Sequence, residues 1–333
     1  MRDNLRQAFL DQHGMGDVEC PLLAGDASFR KYYRLEKDGE TRVLMDAPPP
    51  EEDVKPFIKV AKILENAGLS APHIYHEDCE NGFLLLEDLG DNTYTRLLQK
   101  GYDEKALYDL AIDALIHLHH LEEDHFKDLP PYDLNVLERE ILLFYDWWMK
   151  AVFGDVAITD QGRKSYLEAW KDALTSLQDE TPALVLRDYH VDNLLLLEER
   201  DGVQACGLLD FQDALSGSAL YDVMSLLEDA RRDIDDALIE GLKQKYMDAF
   251  SQWKRDHFDR VFAILGAQRH AKVIGIFVRL KMRDDKDVYL QHIPRVWRLF
   301  ERSLQHPALS SVKKWVDEHV PAEKRGIPEC YQK

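Results

Sequence analysis

Cysteine is scarce and scattered in this chain. The four, Cys20, Cys79, Cys206 and Cys330, form no CxxC pair and have no histidine at ligand spacing. That pattern speaks against a disulfide framework or a zinc site and points to a reducing compartment. Long apolar runs are lacking as well, the longest falling far short of a membrane span. The N-terminal stretch MRDNLRQAFLDQHG has a helical period but no secretion-signal apolar core, so a cytoplasmic location without a membrane partner is expected. Positive charge is in deficit, with 42 Lys and Arg against 62 Asp and Glu and a formal charge of −20. Nucleic acid is a poor partner for such a surface, because a phosphate backbone needs clustered cations. No internal repeat or low-complexity tract stands out.

What is present is a core-forming composition, 45% hydrophobic over 333 residues, enough for two lobes. A helix is expected over Asp3–His13. Strands are expected near Val18–Leu23, Phe29–Leu35, Arg42–Asp46, Pro72–His76 and Gly82–Glu87, with a turn at Lys37-Asp38-Gly39-Glu40. The acidic Glu51-Glu52-Asp53 opens a helix running to about Ala67. Beyond Leu89-Gly90-Asp91-Asn92 the pattern turns helical. Helices are expected at Thr93–Lys100, Asp103–Leu121, Leu134–Val152, Asp160–Leu177, Ala219–Arg231, Asp235–Lys254, Asp256–Met282 and Pro294–Leu304. Only Leu194–Leu197 and Val203–Leu209 read as strands there. The expected class is therefore α+β, with a small β-rich lobe at residues 1–90 and a larger helical lobe at 91–333.

The stretch Leu184–Asp213 carries the chemistry. Asp188 lies five positions before Asn193, and Asp210 follows the apolar Gly207-Leu208-Leu209. Two carboxylates and a carboxamide in this order suit Mg²⁺-dependent phosphoryl transfer from ATP: one aspartate accepts the proton of the attacking hydroxyl, while the asparagine and second aspartate hold metal. His190 reads as a brace for this loop or a group at the acceptor's edge. Asp213 lies just beyond Asp210 and faces the acceptor in this reading. Tyr221-Asp222 reads as a brace of the loop. Upstream, Gly25, Asp26, Ala27 and Ser28 fit a hairpin tip whose N–H groups meet phosphate oxygens. Phe83–Leu86 followed by Glu87-Asp88-Leu89-Gly90 fits a connection where main chain at Glu87 and Leu89 meets an adenine ring.

The segments LVLRDYHVDN, LLDFQDALSG and LYDVMSLLED resemble the aminoglycoside phosphotransferase superfamily, small-molecule relatives of the protein kinases. AGDASFRKYYR, VLMDAPP, GFLLLEDLG, QRHAKVIGIFVRL and RDDKDVYL are similar to its anomeric kinases of N-acetylmuramate and N-acetylglucosamine. The resemblance implies a two-lobed kinase-like fold and transfer from ATP to the anomeric hydroxyl of an N-acetylated amino sugar. It further implies Asp188 as base, Asn193 and Asp210 as Mg²⁺ ligands, residues 25–28 as the phosphate loop, and a sugar 1-phosphate used in peptidoglycan recycling. Two positions depart from the kinase pattern. Leu186 stands where a histidine is usual, and Val43-Leu44-Met45-Asp46 offers an aspartate where a strand lysine meets the phosphates. Arg30, Lys31 and Arg42 are the cations nearby.

For the acceptor, Arg269, Lys272, Arg279 and Arg283 fall on one sector of one helix, suited to a sugar carboxylate, to an ATP phosphate or to salt bridges within the protein. Glu140, Phe144, Trp147 and Trp148 share a helical face that serves as a sugar platform or as core. A kinase of another small metabolite such as an aminoglycoside, and a nucleotide-binding protein without turnover, are the alternatives.

Overall fold

The turn signal at Asp38-Gly39 is the plainest local instruction in the first ninety residues, and both residues adopt positive φ (53° and 82°), the left-handed pair that a tight hairpin requires. In the computed structural model, which describes residues 2–25 and 29–332, this turn joins two of five strands. They are β1 (Leu22–Gly25), β2 (Lys31–Lys37), β3 (Glu40–Asp46), β4 (Ile74–Asp78) and β5 (Phe83–Glu87), in the order β1-β2-β3-β5-β4 with every neighbouring pair antiparallel. Strand alternation gives the sheet two faces. On one, Tyr33, Leu35, Leu44, Phe83 and Leu85 pack against Phe9 and Leu10 of helix α1 (Arg2–Gln12). Helix α2 (Lys55–Asn66) starts four residues later than its acidic lead suggested, because Asp53 Oδ1 accepts the Lys55 N–H at 2.9 Å and Pro56 sits in the first turn.

The chain forms two compact units that interleave in sequence. The first comprises Met1–His125 and Asp188–Ala214. It adds α3 (Tyr94–Gln99) and α4 (Glu104–His119) to the sheet, followed much later in sequence by a short hairpin discussed below. The second comprises Phe126–Arg187 and Leu215–Lys333. It begins with α5 (Leu134–Leu143), which continues through a π-helical segment Phe144–Met149 into α6 (Lys150–Phe153), and then α7 (Asp160–Thr175). The single break expected at residues 90/91 does not describe this grouping. The Asp188–Ala214 stretch is hydrogen-bonded to the segments that flank the last two strands of the sheet: Leu208 N–H donates to Ser70 O at 2.8 Å, and Leu196 N–H donates to Asn92 O at 2.9 Å.

The strands of the second half differ from expectation. An unforeseen pair, β6 (Pro182–Val185) and β9 (Leu215–Ser218), forms a two-stranded sheet. The Leu-Ser-Gly-Ser of β9 has no apolar alternation, so its pairing left no trace in the sequence. Between them lie β7 (Leu194–Leu196) and β8 (Cys206–Leu208). Gly202–Ala205 is a 3₁₀ turn instead of the start of β8, opened by Gly202 at φ 57°. Helices α8 (Leu220–Leu227), α9 (Asp236–Asp248), α10 (Arg255–Asp284), α11 (Ile293–Ser303) and α12 (Ser310–His319) complete the chain. The last of these was not anticipated, whereas α8 to α11 were.

Helix α10 is the axis of the second unit. Among the described residues it is the one helix long and apolar enough to cross a bilayer, which the sequence reading had not recognised, and its apolar stretch is buried in the protein core. Gly275 lets it approach α5 closely: a Cβ there would stand 2.2 Å from the Leu143 carbonyl carbon and 2.3 Å from its oxygen. Backbone cannot yield as a side chain can, so Gly275→Ala is expected to destabilise by about 1–3 kcal/mol despite alanine's helix preference of about 1 kcal/mol. Urea titration checks the sign, and a stabilised variant would refute the close contact.

Candidate active site

The loop bearing Asp188 is anchored at both ends. On its N-terminal side, Asp222 in α8 is fully buried and accepts the main-chain N–H groups of Leu186 (2.6 Å) and Arg187 (2.9 Å). This is the bracing role expected of Tyr221-Asp222. Leu186 is itself buried. Arg187 adopts φ 72° directly before Asp188, and Asp210 adopts φ 57°. Such positive φ values are costly for non-glycine residues and cluster where a structure must aim a side chain. On the C-terminal side, Asn193 Nδ2 donates to the Asp188 carbonyl at 2.9 Å. Leu209 N–H donates to Asn193 O at 2.9 Å, so the strand leading to Asp210 is tied to the asparagine. Tyr189 donates its hydroxyl to Ala111 O at 2.8 Å, and Thr95 hydrogen-bonds Asp192.

Asn193 and Asp210 line a slot of about 350 Å³ wholly within the first unit, at the low end of the range for small-molecule sites. Its walls are mainly apolar, with Tyr32, Val43, Phe57, Leu86, Leu195 and Leu209 among them, and one side is formed by Glu87-Asp88-Leu89-Gly90. The Glu87 side chain pairs with Arg200, and Asp88 pairs with Arg34, whose Nε lies 2.7 Å from Oδ2. The Glu87 N–H donates to His73 O at 2.8 Å and the Gly90 N–H to Asp88 Oδ1 at 3.0 Å, so this segment is held rigidly beside the slot. An apolar slot bordered by residues 87–90 suits a purine ring, and the same lining carries the hard oxygen donors of Asn193 and Asp210, which suit Mg²⁺.

Other expected site residues fall as follows. Gly25 ends β1, while Asp26, Ala27 and Ser28 lie outside the described residues. His190 is buried, its Nε2 3.4 Å from Asn193 Nδ2, a placement that suits a brace. Asp213 is exposed. Arg30 is buried, with Nη2 3.9 Å from Asp210 Oδ1 and Nε 3.7 Å from Glu52 Oε2. Asp210 Oδ1 also accepts from Gln212 Nε2 at 2.8 Å.

The reading of Asp46 needs correction. Val43 lines the slot, so strand alternation puts Met45 on the slot face and Leu44 with Asp46 on the face against α1. There Asp46 is buried and accepts from Arg2 Nε at 2.8 Å and Nη2 at 2.5 Å. Asp46 is thus a tether for α1, and the residue two positions beyond Val43 on the slot face is an apolar methionine.

The second unit contains a buried polar cluster centred on Glu140. Lys272 Nζ lies 2.8 Å from Glu140 Oε1 and Gln268 Nε2 donates to Oε2 at 2.8 Å, while Arg187 and the Tyr132 hydroxyl also bind the carboxylate. Burial pushes the Glu140 carboxyl up, but Lys272 and Arg187 outweigh it and hold the group down at about 2. The basic sector of α10 is therefore divided. Lys272 is committed to Glu140, Arg269 is buried, Arg279 is half-buried with its pKa lowered by desolvation, and Arg283 binds Asp284 at the surface. Phe144 and Trp148 stack at 5.0 Å and are fully buried, which makes them core.

Residues 19–257 match the Phosphotransferase enzyme family. A relative from Pseudomonas aeruginosa, named N-acetylmuramate/N-acetylglucosamine kinase, is 39% identical over 90% of this chain and 89% of its own. One of the same name from Caulobacter vibrioides is 33% identical over 97% and 98%. Among solved structures, the ADP-bound aminoglycoside phosphotransferase APH(2'')-Ib superposes with a TM-score of 0.60 at 18% identity, covering 90% of this chain and 96% of that one. That likeness establishes a protein-kinase-like α+β fold.

Proposed function

Since this chain belongs to the phosphotransferase enzyme family and is a small-molecule kinase, we propose that it transfers phosphate from ATP to the anomeric hydroxyl of N-acetylmuramate or N-acetylglucosamine. The observation that carries this reading is the union of Asp188, Asn193 and Asp210 in one unit, tied by the Asn193 side-chain amide to the Asp188 carbonyl and by the Leu209 N–H to the Asn193 carbonyl, beside a slot of about 350 Å³. The names of the relatives supply the acceptor.

In this reading the main chain at Glu87 and Leu89 meets the adenine, and Gly25–Ser28 cover the phosphates. Asp188 takes the proton as the acceptor oxygen bonds to the γ-phosphorus and the β–γ bridging oxygen departs with ADP. Asn193 and Asp210 would hold Mg²⁺, which when bound neutralises charge on the phosphates and leaving group. Residues 1–90 would carry the phosphate loop and the nucleotide-binding sheet, and 91–333 the catalytic loop, the metal site and the acceptor site. The sugar 1-phosphate would re-enter peptidoglycan precursor synthesis in the cytoplasm.

The test is ADP release with Mg²⁺ over a panel of N-acetylmuramate, N-acetylglucosamine, an amino alcohol and an aminoglycoside, with ³¹P NMR of the product. Turnover of the N-acetylated sugars, with phosphorus coupled to the anomeric proton, is expected. Phosphate on another hydroxyl, or turnover confined to the amino alcohol or aminoglycoside, would overturn the assignment.

A further inference from the structure

We infer that Arg30, supplied from the approach to β2, is the side-chain cation that binds the nucleotide phosphates in place of a lysine on β3; this rests on the ATP-dependent reading above. A triphosphate brings several negative charges to a slot whose lining already carries Asp210, so a fixed cation is needed there besides the metal. The slot face of β3 cannot provide one, because it presents Val43 and Met45.

Several cations lie near enough in sequence to substitute, and their surroundings separate them; Arg34 of β2 is paired with Asp88 at 2.7 Å and Asp91 at 2.8 Å. Lys31 is exposed and in register with Asp46, and it adjoins Tyr32, the residue that lines the slot, so alternation sends it to the other face. Arg42 stacks over the Tyr75 ring at 4.1 Å and pairs with Glu40 at 2.8 Å. Arg30 stands two residues before Tyr32, and its guanidinium lies 3.9 Å from Asp210, the proposed metal ligand in the slot lining.

Glu52 holds Arg30 in place. Its Oε2 lies 3.7 Å from Arg30 Nε, and its Oε1 accepts the Phe29 N–H at 3.1 Å, fixing the segment that carries the arginine. Protein kinases use a β3 lysine and a helix glutamate for this purpose. Here a buried arginine on the approach to β2 and a glutamate just ahead of α2 form the corresponding pair. A planar guanidinium also offers two parallel donors to a phosphate, which an ammonium does not.

Equilibrium binding of MgATP and of adenosine, measured calorimetrically on the full chain, tests the assignment. Arg30→Ala is expected to weaken MgATP by about 10–100-fold, the scale of a lost charge-assisted contact, while adenosine affinity stays within about twofold because adenosine lacks phosphate. Arg30→Lys keeps the charge and is expected to recover a large part of the MgATP affinity. MgATP affinity unchanged in Arg30→Ala, an equal loss for adenosine, or no recovery in Arg30→Lys would each overturn the role while leaving the kinase reading intact. A native protein that binds adenosine but gains nothing from the triphosphate would overturn both.

Discussion

Asp188→Asn is expected to lower kcat by about a thousandfold or more, the contribution of a positioned general base lying at about 10²–10⁴, while MgATP affinity stays close to native. The substitution is nearly isosteric, and the features that place the loop do not depend on the Asp188 carboxylate. Asn193 binds the Asp188 main-chain carbonyl, and Asp222 binds the N–H groups of Leu186 and Arg187. The amide can accept a hydrogen bond but cannot take the hydroxyl proton at neutral pH. Single-turnover kinetics alongside nucleotide titration check this. A kcat within tenfold of native, or a loss traceable to nucleotide affinity, would remove Asp188 from the role of base.

The second large effect is on stability. Glu140→Ala is expected to destabilise by about 3–5 kcal/mol, because it leaves Lys272 and Arg187 buried without their shared counter-charge. The native carboxylate also predicts a pH dependence. Its pKa falls from the ordinary 4.5 to about 2 in the folded protein, so its stabilisation is fully present above 4.5 and lost as pH drops from there through about 2. That window carries roughly 3 kcal/mol at 1.4 kcal/mol per pH unit. Urea titrations at pH 7 and pH 3 measure both. The native protein should lose stability between them, and Glu140→Ala should lose markedly less over the same interval. Parallel losses would show that Glu140 does not couple to the fold's acid sensitivity. Since Arg187 is covalently joined to Asp188, kcat in Glu140→Gln also reports whether this cluster sets the aim of the loop.

How far the sequence was legible depended on the range of the interactions involved. The Asp38-Gly39 turn follows from φ preferences, and the helices from period and capping, as in α4, where Asp103 caps the Ala106 N–H. These forces act within a few residues, so composition and order state them. Strand β9 was missed because its pairing with β6 rests on partners thirty residues away and not on its own apolar pattern. Asp46 was misread for a related reason. Its position in the order of residues resembles that of the kinase lysine, but facing is decided by alternation from Val43, and only the packed sheet shows which face borders the slot.

By itself, then, the sequence made legible the order and spacing of Asp188, Asn193 and Asp210, the set proposed for phosphoryl transfer, because those groups follow one another at short intervals on one loop and one strand end. Tertiary structure decided what surrounds them. It placed Arg30 against Asp210 and Glu52, turned Asp46 away to tether Arg2, and committed Lys272 to a buried Glu140. These pairings join residues 22 to 180 positions apart, and even the shortest, Arg30 with Glu52, spans the hairpin of β2 and β3. A charged side chain takes its role from the charge it meets, and that partner is fixed by packing and not by neighbourhood in the chain.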